Sequence, residues 1–416
     1  MALPEALQVL RSRHFRVYWF GQAISLVGTW MQQMAQAWIV TRLTQQASAL
    51  GTMMIISSLP MMFLGLKGGQ IADRYNKRNI LIATQLGLML LALGLAALAL
   101  SGKLVLWHVY VFAVLLGTVS AFDLPAAQAF APELVEARLI PRAVAMIQAI
   151  FHGSRLIGPA LAGLLIDRYG EGSAFLVNGV SFLAVIASLL AIPSTYRSGE
   201  KRGRGDGSLL AGIRYVRSDP VARGLIELML LVLALCFPFI IILLVYYARH
   251  VIGTDAHGMG VIMSASGFGA VTGATTLVVI GTASWRGRIL FGAGVVATAL
   301  IGLSLNHLLL PAIGLTALLS LGTSLSMGTI NQVIQQRVPG ELRGRVMALF
   351  GIAFTTVLPV SGLLLSLLAD AVGLPRVMTV CGAAFGVLAM IVLLRMPKAV
   401  DAPAVPASGA DRVDPV

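Results

Sequence analysis

Gly69-Gln-Ile-Ala-Asp73-Arg74-Tyr-Asn-Lys77-Arg78 is a short charged strip set between two apolar runs, 47–71 and 79–101. A helix needs about 20 apolar residues to cross the hydrocarbon core of a bilayer, and each run supplies them. The strip between them is then a tight loop joining two membrane helices on one side. Three of its residues are cations, and loops left in the cytoplasm attract Lys and Arg.

The alternation continues in both directions. Apolar runs occupy 15–41, 47–71, 79–101, 105–129, 143–166 and 173–193, then 221–247, 258–281, 288–307, 309–335, 346–369 and 374–396. Of the 416 residues 57% are hydrophobic and only 11% charged, against roughly 25% charged in a water-soluble domain. Most of the surface therefore faces lipid, and the chain reads as an all-α membrane protein of 12 transmembrane helices. Met1 to Arg16 has no small-residue cleavage site before the first run, which predicts that this run stays in the membrane.

Charge fixes the orientation. With the N-terminus inside, about 23 of the 30 Lys and Arg residues fall in inner loops and about five in outer loops, with Lys67 and Arg155 left inside spans. Both termini are expected in the cytoplasm of a bacterial inner membrane. The net charge of +13 is thereby accounted for by loops. No finger, basic-helix or aromatic RNA-binding signature accompanies it, so nucleic acid is not an expected partner. Cys236 and Cys381 sit inside apolar runs, as buried small hydrophobes do. No phosphate loop, hydrolase triad or zinc-spaced histidine pair appears, so neither an enzyme nor a cofactor is expected.

The basic stretch after the sixth run divides the chain into a six-helix bundle (1–193), a linker (194–220), a second six-helix bundle (221–397) and a tail (398–416) whose composition predicts disorder. Within the linker, apolar and basic residues alternate at helical spacing from Leu209 to Val221, which predicts an amphipathic helix on the inner membrane surface. The halves also resemble each other. The fifth run goes from Arg142 to Asp167-Arg-Tyr-Gly170 and the eleventh from Arg345 to Asp370-Ala-Val-Gly373. Duplicated six-helix halves with a site between them are a secondary-transporter architecture.

The loop strip resembles the signature of the major facilitator superfamily, G-x-L-A-D-R-x-G-R-R, with Asn76 where the family usually has Gly. The resemblance implies that Gly69, Asp73, Arg74, Lys77 and Arg78 form an inner gate between the halves, Asp73 meeting the positive end of a helix. Gly153-Ser-Arg155-Leu-Ile-Gly158-Pro159-Ala-Leu-Ala-Gly163 looks like the Gly-Pro motif of exporting branches. It implies close packing of the fifth span on the eighth, itself rich in small residues (Gly267, Gly269, Gly273). Gly28-Thr-Trp30-Met-Gln32, Phe122-Asp123-Leu-Pro125, Pro132-Glu133-Leu-Val and Pro339-Gly-Glu341-Leu-Arg343-Gly-Arg345 together resemble the secretion-effector branch, which includes siderophore exporters of the enterobactin type. Ala127 departs from it, standing where that branch commonly has Arg.

Two sets of residues are candidates for the transport chemistry. On the first span Gln22, Ser25, Thr29, Gln32 or Gln33, and Gln36 share one face, and on the tenth Ser320, Thr323, Ser324, Asn331 and Gln335 do much the same. In this superfamily those helices line the central cavity, so the stripes are candidate substrate contacts, with interhelical hydrogen bonding the alternative for any single residue. Asp123, His152, Arg155 and Glu227 are ionisable groups within spans, where charge is costly. Any of the acids or the histidine could carry a coupling proton. Asp123 and Arg155 could instead pair with each other, and Glu227 with Arg223 one turn away. The favoured activity is proton-coupled export of a small molecule (siderophore, drug or metabolite-like) by a monomer. A proton-coupled importer and a lipid or lysolipid flippase are the rivals.

Overall fold

A computed structural model describes residues 5–193, 209–279 and 284–397. The expected tail at 398–416 and the linker residues 194–208 lie outside the described residues. Among those described there is no strand. After a 3-10 turn, Glu5–Arg11, the chain runs through α1 (Arg13–Leu43), α2 (Ser48–Arg74), α3 (Lys77–Leu100), α4 (Leu106–Glu133), α5 (Ile140–Tyr169) and α6 (Glu171–Leu190). Then follow α7 (Leu209–Ser218), α8 (Pro220–Leu235), α9 (Phe237–Ile241), α10 (Leu243–Tyr246) and a π-helical turn, Tyr247–Ile252. The last five are α11 (Ala256–Val279), α12 (Trp285–Leu305), α13 (Leu309–Arg337), α14 (Gly340–Val372) and α15 (Leu374–Arg395).

Ten helical segments among the described residues are long and apolar enough to span a membrane. The remaining two of the twelve, α1 and α11, have 31 and 24 residues and so the length to span; α1 carries more polar side chains than the others. Large apolar side chains point outward all round: Phe63 is 73% exposed and Leu66 81%. Such a surface is stable only against lipid. Helix association in that solvent depends on close backbone approach at small residues. Gly68 and Gly117, between α2 and α4, have no room for a methyl group beside the Ala121 and Ser57 backbone.

Local sequence explains the ends. Asn76, the departure from the family's glycine, has φ −64° and N-caps α3, accepting from the Asn79 N–H. A left-handed glycine is not needed there. The two Asp-x-x-Gly repeats end α5 and α14 alike, with Gly170 at φ 78° and Gly373 at φ 88°. The seventh span is not the single run expected over 221–247. It breaks at Cys236, restarts with Pro238 in the first turn of α9, breaks again at Ile242 and closes in the π-helical turn before Gly253 (φ 73°). Pro238 has no N–H to donate, and its ring collides with the preceding turn of a continuous helix.

The amphipathic α7 forms, but it is docked on protein. Gly212 sits against Arg345 of α14, Val216 is buried and Leu210 exposed. Asp219 ties this corner together. Its carboxylate accepts from Arg337 Nε (2.6 Å) and from the Val221 and Ala222 N–H groups at the start of α8. Burial alone would raise its pKa, but Arg337 and the two N–H groups outweigh that and hold the carboxyl below the usual value.

Helices α1–α6 pack among themselves: α1 on α5 and α6, α3 on α4 and α6, α2 on α4. Helices α8–α15 do likewise. The two sets meet along α2 with α14, α5 with α11, and α1 with α10.

Candidate transport pathway and its gates

The α2–α3 loop, the start of α1 and the end of α13 lie at one end of the spans, here called the basic face; the α1–α2 and α14–α15 loops lie at the other. The two helix sets are joined at this second face. The N-cap of α2 is Ala47, which has no side-chain acceptor. The missing cap comes from the other half: Asp370 of α14 accepts from the Ala47 N–H (2.6 Å) and the Ser48 N–H (2.9 Å). A carboxylate at a helix N-terminus meets both unpaired donors and the positive end of the dipole. Nearby, Tyr246 donates to the Gln45 carbonyl (3.1 Å), and the Arg249 guanidinium lies 4.4 Å from the Trp38 ring centre.

Below this latch α5 and α11 touch backbone to backbone. A Cβ on Gly163 would come 2.6 Å from the Ala256 carbonyl oxygen, one on Gly260 2.5 Å from that of Pro159, and one on Gly267 2.8 Å from Leu156 Cα. Gly158 packs inside its own half, where a Cβ would lie 2.6 Å from Trp30 Cβ. The expected packing motif is corrected at three positions. Gly153 has open space around it, and Gly269 and Gly273 face α13 rather than α5.

The basic face has a different arrangement. Asp73 and Arg74 are exposed and reach no partner among the described residues, and Gly69 has open space beside it. The other two motif cations stay within their half. Lys77 binds Glu133 at the end of α4 (2.7 Å), and Arg78 Nε donates to the Leu189 carbonyl that ends α6 (2.6 Å). Toward this face an open pocket of about 380 Å³ is lined by Gly328, Asn331, Gln332, Gln335 and Gln336 of α13. Asn331 accepts a hydrogen bond from Gln335.

Between the faces the ionisable residues are distributed differently from one expectation. Asp123 and Arg155 are not a pair. Asp123 of α4 accepts from Thr84 Oγ1 (2.6 Å) and Gln85 Nε2 (2.9 Å), both on α3. Arg155 turns the other way, donating to Ser266 of α11 (2.9 Å) with its guanidinium 5.7 Å from the Trp30 ring centre. His152 is half-buried and its Nδ1 has no hydrogen-bond partner among the described residues. Glu227 makes the plain helical pair with Arg223 (3.5 Å), both well exposed.

The polar stripes divide by role. Gln32 is buried and accepts from Asn178 of α6 (2.6 Å). Gln22 donates to Tyr18 and Thr29 to the Ser25 carbonyl of its own helix, while Ser25 itself is buried. Ser320 donates to Ser266 (3.0 Å) and Ser324 to the Ala270 carbonyl (2.9 Å), bonds that hold α13 to α11. Thr323 bonds back to Leu319. Gln36 is buried with its amide nitrogen unpartnered. Gln33 alone of the α1 stripe lines a narrow cavity of about 40 Å³, shared with Trp30, Arg155, Met263 and Ser266. Asn331 and Gln335 line the open pocket. Sequence reasoning missed Trp30 and Ser266 as cavity residues and Asp370 as a latch. The last carried a signal in the Asp-x-x-Gly repeat.

Comparison with known proteins agrees with this architecture. A family model described as transmembrane secretion effector matches residues 5–410. This chain belongs to that family. Such a secretion effector is a multi-pass membrane transporter of the major facilitator type, not an enzyme. Among curated relatives, the staphyloferrin A transporter of Staphylococcus aureus is 26% identical over 379 residues, 88% of this chain and 92% of that one. The macrolide efflux protein A of Streptococcus pyogenes is 25% identical, covering 86% and 90%. The multidrug efflux pump Tap of Mycolicibacterium fortuitum is 25% identical, covering 81% and 84%. Among solved structures, a bacterial homologue of the lysosomal transporter Spinster, inward-facing and unoccupied, superposes with a TM-score of 0.75 at 11% identity, over 93% of this chain and 97% of that one. That last likeness concerns the fold alone.

Proposed function

We propose that this secretion effector exports a small molecule from the cytoplasm across the bacterial inner membrane, as a monomer, by alternating access coupled to inward proton flow. The observation that carries the reading is the unequal closure of the two faces. Asp370, Tyr246 and the α5–α11 glycines join the halves at one face, whereas at the basic face Asp73 has no partner among the described residues and a pocket stands open beside Asn331 and Gln335. The positive-inside bias assigns the basic face to the cytoplasm, with both termini there. The open side is then where an exporter loads, and the direction of transport rests on the relatives named for efflux.

Alternation follows from the two ends of the α2–α14 pair. Asp370 caps α2 across the halves in this state. At the other end the N-cap of α14 is Pro339, which supplies no side-chain cap, and Asp73 at the end of α2 has no partner among the described residues. When the halves rock to close the basic face, Asp73 meets the N-terminus of α14 and the Asp370 latch opens. Each carboxylate thus stabilises one state. Asp123, held by two donors on α3 within its own half, is the preferred proton carrier. Protonation removes the charge that Thr84 and Gln85 solvate.

The test uses inside-out vesicles with an acid lumen, challenged with siderophores, macrolides and dyes. The reading expects substrate-dependent alkalinisation of the lumen, abolished in Asp73→Asn and altered in Asp123→Asn. No proton movement with any compound, from folded protein, would reject it.

A further inference from the structure

Arg155 sits midway along the 30-residue α5, at the depth where a cation is most costly. An uncompensated one there costs at least ~2.5–3.5 kcal/mol. Its guanidinium has no carboxylate partner among the described residues. Asp123, the acid expected to neutralise it, is engaged by α3. Of the five N–H donors of a guanidinium, the protein meets one through Ser266, and Trp30 offers its ring face. Arg155 also lines the cavity of about 40 Å³ at the convergence of α1, α5, α9, α10 and α11. The other walls are largely apolar, including Ile241 and Met263, with Gln33 as a neutral polar group.

We propose that Arg155 is the docking point for a carboxylate on the transported molecule, so that substrates are organic acids with an apolar body. The proposal rests on the transport reading above and names its substrate class. A guanidinium takes a carboxylate through two parallel hydrogen bonds. The space available holds such a head group but not a whole substrate, whose apolar part lies along the remaining walls. The site also adjoins the gate. Ser266, which takes one donor of the same guanidinium, belongs to the other half, so an acid held by the remaining donors sits against the α5–α11 contact. A lipid phosphate has related chemistry, but the small cavity enclosed by these helices favours a free acid.

The full chain in nanodiscs would be titrated calorimetrically with 2-naphthoate, 2-naphthamide and 2-naphthylmethylamine, which share one apolar body. The expected result is naphthoate binding at least tenfold tighter than the other two, with the preference lost in Arg155→Gln and reduced in Arg155→Lys. Gln33→Glu keeps Arg155 but places a carboxylate in the same cavity, and it should abolish the preference too. That variant decides the matter if Arg155→Gln fails to fold. Equal binding of the three probes, or a naphthoate preference that survives both Arg155→Gln and Gln33→Glu, overturns the proposal. So does displacement of naphthoate by short-chain phosphatidylglycerol without displacement by soluble acids, which assigns the site to lipid. Proton-coupled export of neutral or cationic compounds unaffected by Arg155→Gln would overturn this proposal and leave the export reading standing. Absence of any coupled flux would remove the export reading while the binding result stood by itself.

Discussion

Asp370→Asn should shift the protein away from the conformation described here. In that conformation the carboxylate accepts two backbone N–H groups, at 2.6 and 2.9 Å, from the first turn of a helix in the other half. An amide retains one neutral acceptor and turns its NH₂ toward the second donor. Hydrogen bonds to a charged group contribute about 1.5–3 kcal/mol, and a carboxylate at a helix N-terminus about 0.3–1 kcal/mol. The Ser48 end is exposed to solvent, so the loss belongs at the low end, about 1–2 kcal/mol. That is about a 5- to 30-fold change in the ratio of the two conformations. Spin labels at Lys103 and His307, exposed on this face in opposite halves, would report it by pulsed dipolar spectroscopy in a background lacking Cys236 and Cys381. The variant should gain a longer-distance population. Asp255→Asn is the control, because Asp255 accepts from the Gly258 N–H of its own half. An unchanged distribution in Asp370→Asn, or the same change in Asp255→Asn, would refute the latch.

Three other outcomes follow from the packing and the charges. Gly163→Val should wedge α5 from α11 and cost about 1–3 kcal/mol as overpacking, whereas Gly153→Ala, with open space around it in mid-helix, should not lower the thermal unfolding temperature. Removing either partner of Lys77–Glu133, whose side chains are 8% and 19% exposed, should cost about 3 kcal/mol in thermal unfolding, by leaving the other charge buried without its counter-ion. The docking of α7 depends on Asp219, whose carboxyl is held below its usual pKa. A depressed folded-state value means that this contribution is complete above the unfolded pKa of about 3.9 and is lost as pH falls through the folded value. Hydrogen exchange in Leu209–Ser218, corrected for the intrinsic rate, should therefore be flat from pH 8 to 5 in the wild type and faster throughout that range in Asp219→Asn.

The spans were legible because lipid leaves few options: a run of apolar residues between charged loops can only be a helix. Even the Asp-x-x-Gly repeat pointed to equivalent helix ends. The break in the seventh span was signalled by Pro238 but hidden by the unbroken hydrophobicity around it. Side-chain partnerships were less accessible. Asp123 and Arg155 lie on consecutive helices, yet they point to opposite sides, one to α3 and the other to α11. Rotation of a helix about its axis is set by packing, and in these helices small residues do the packing on more than one face. The glycines of α11 show the same limit. Gly267 faces α5, while Gly269 and Gly273, two and six residues on, face α13. The cap that α2 lacks comes from 323 residues away, and the Asp-x-x-Gly repeat marked Asp370 as a helix end without marking which helix it caps.

Proton-driven export is tested most directly in proteoliposomes by imposing a pH difference across the membrane with substrate initially equal on both sides. The account predicts that substrate accumulates in the more acidic compartment, that reversing the gradient reverses the direction, and that a protonophore abolishes both. Accumulation in the less acidic compartment would identify symport, and movement indifferent to the gradient would identify an uncoupled carrier; either result contradicts the antiport mechanism.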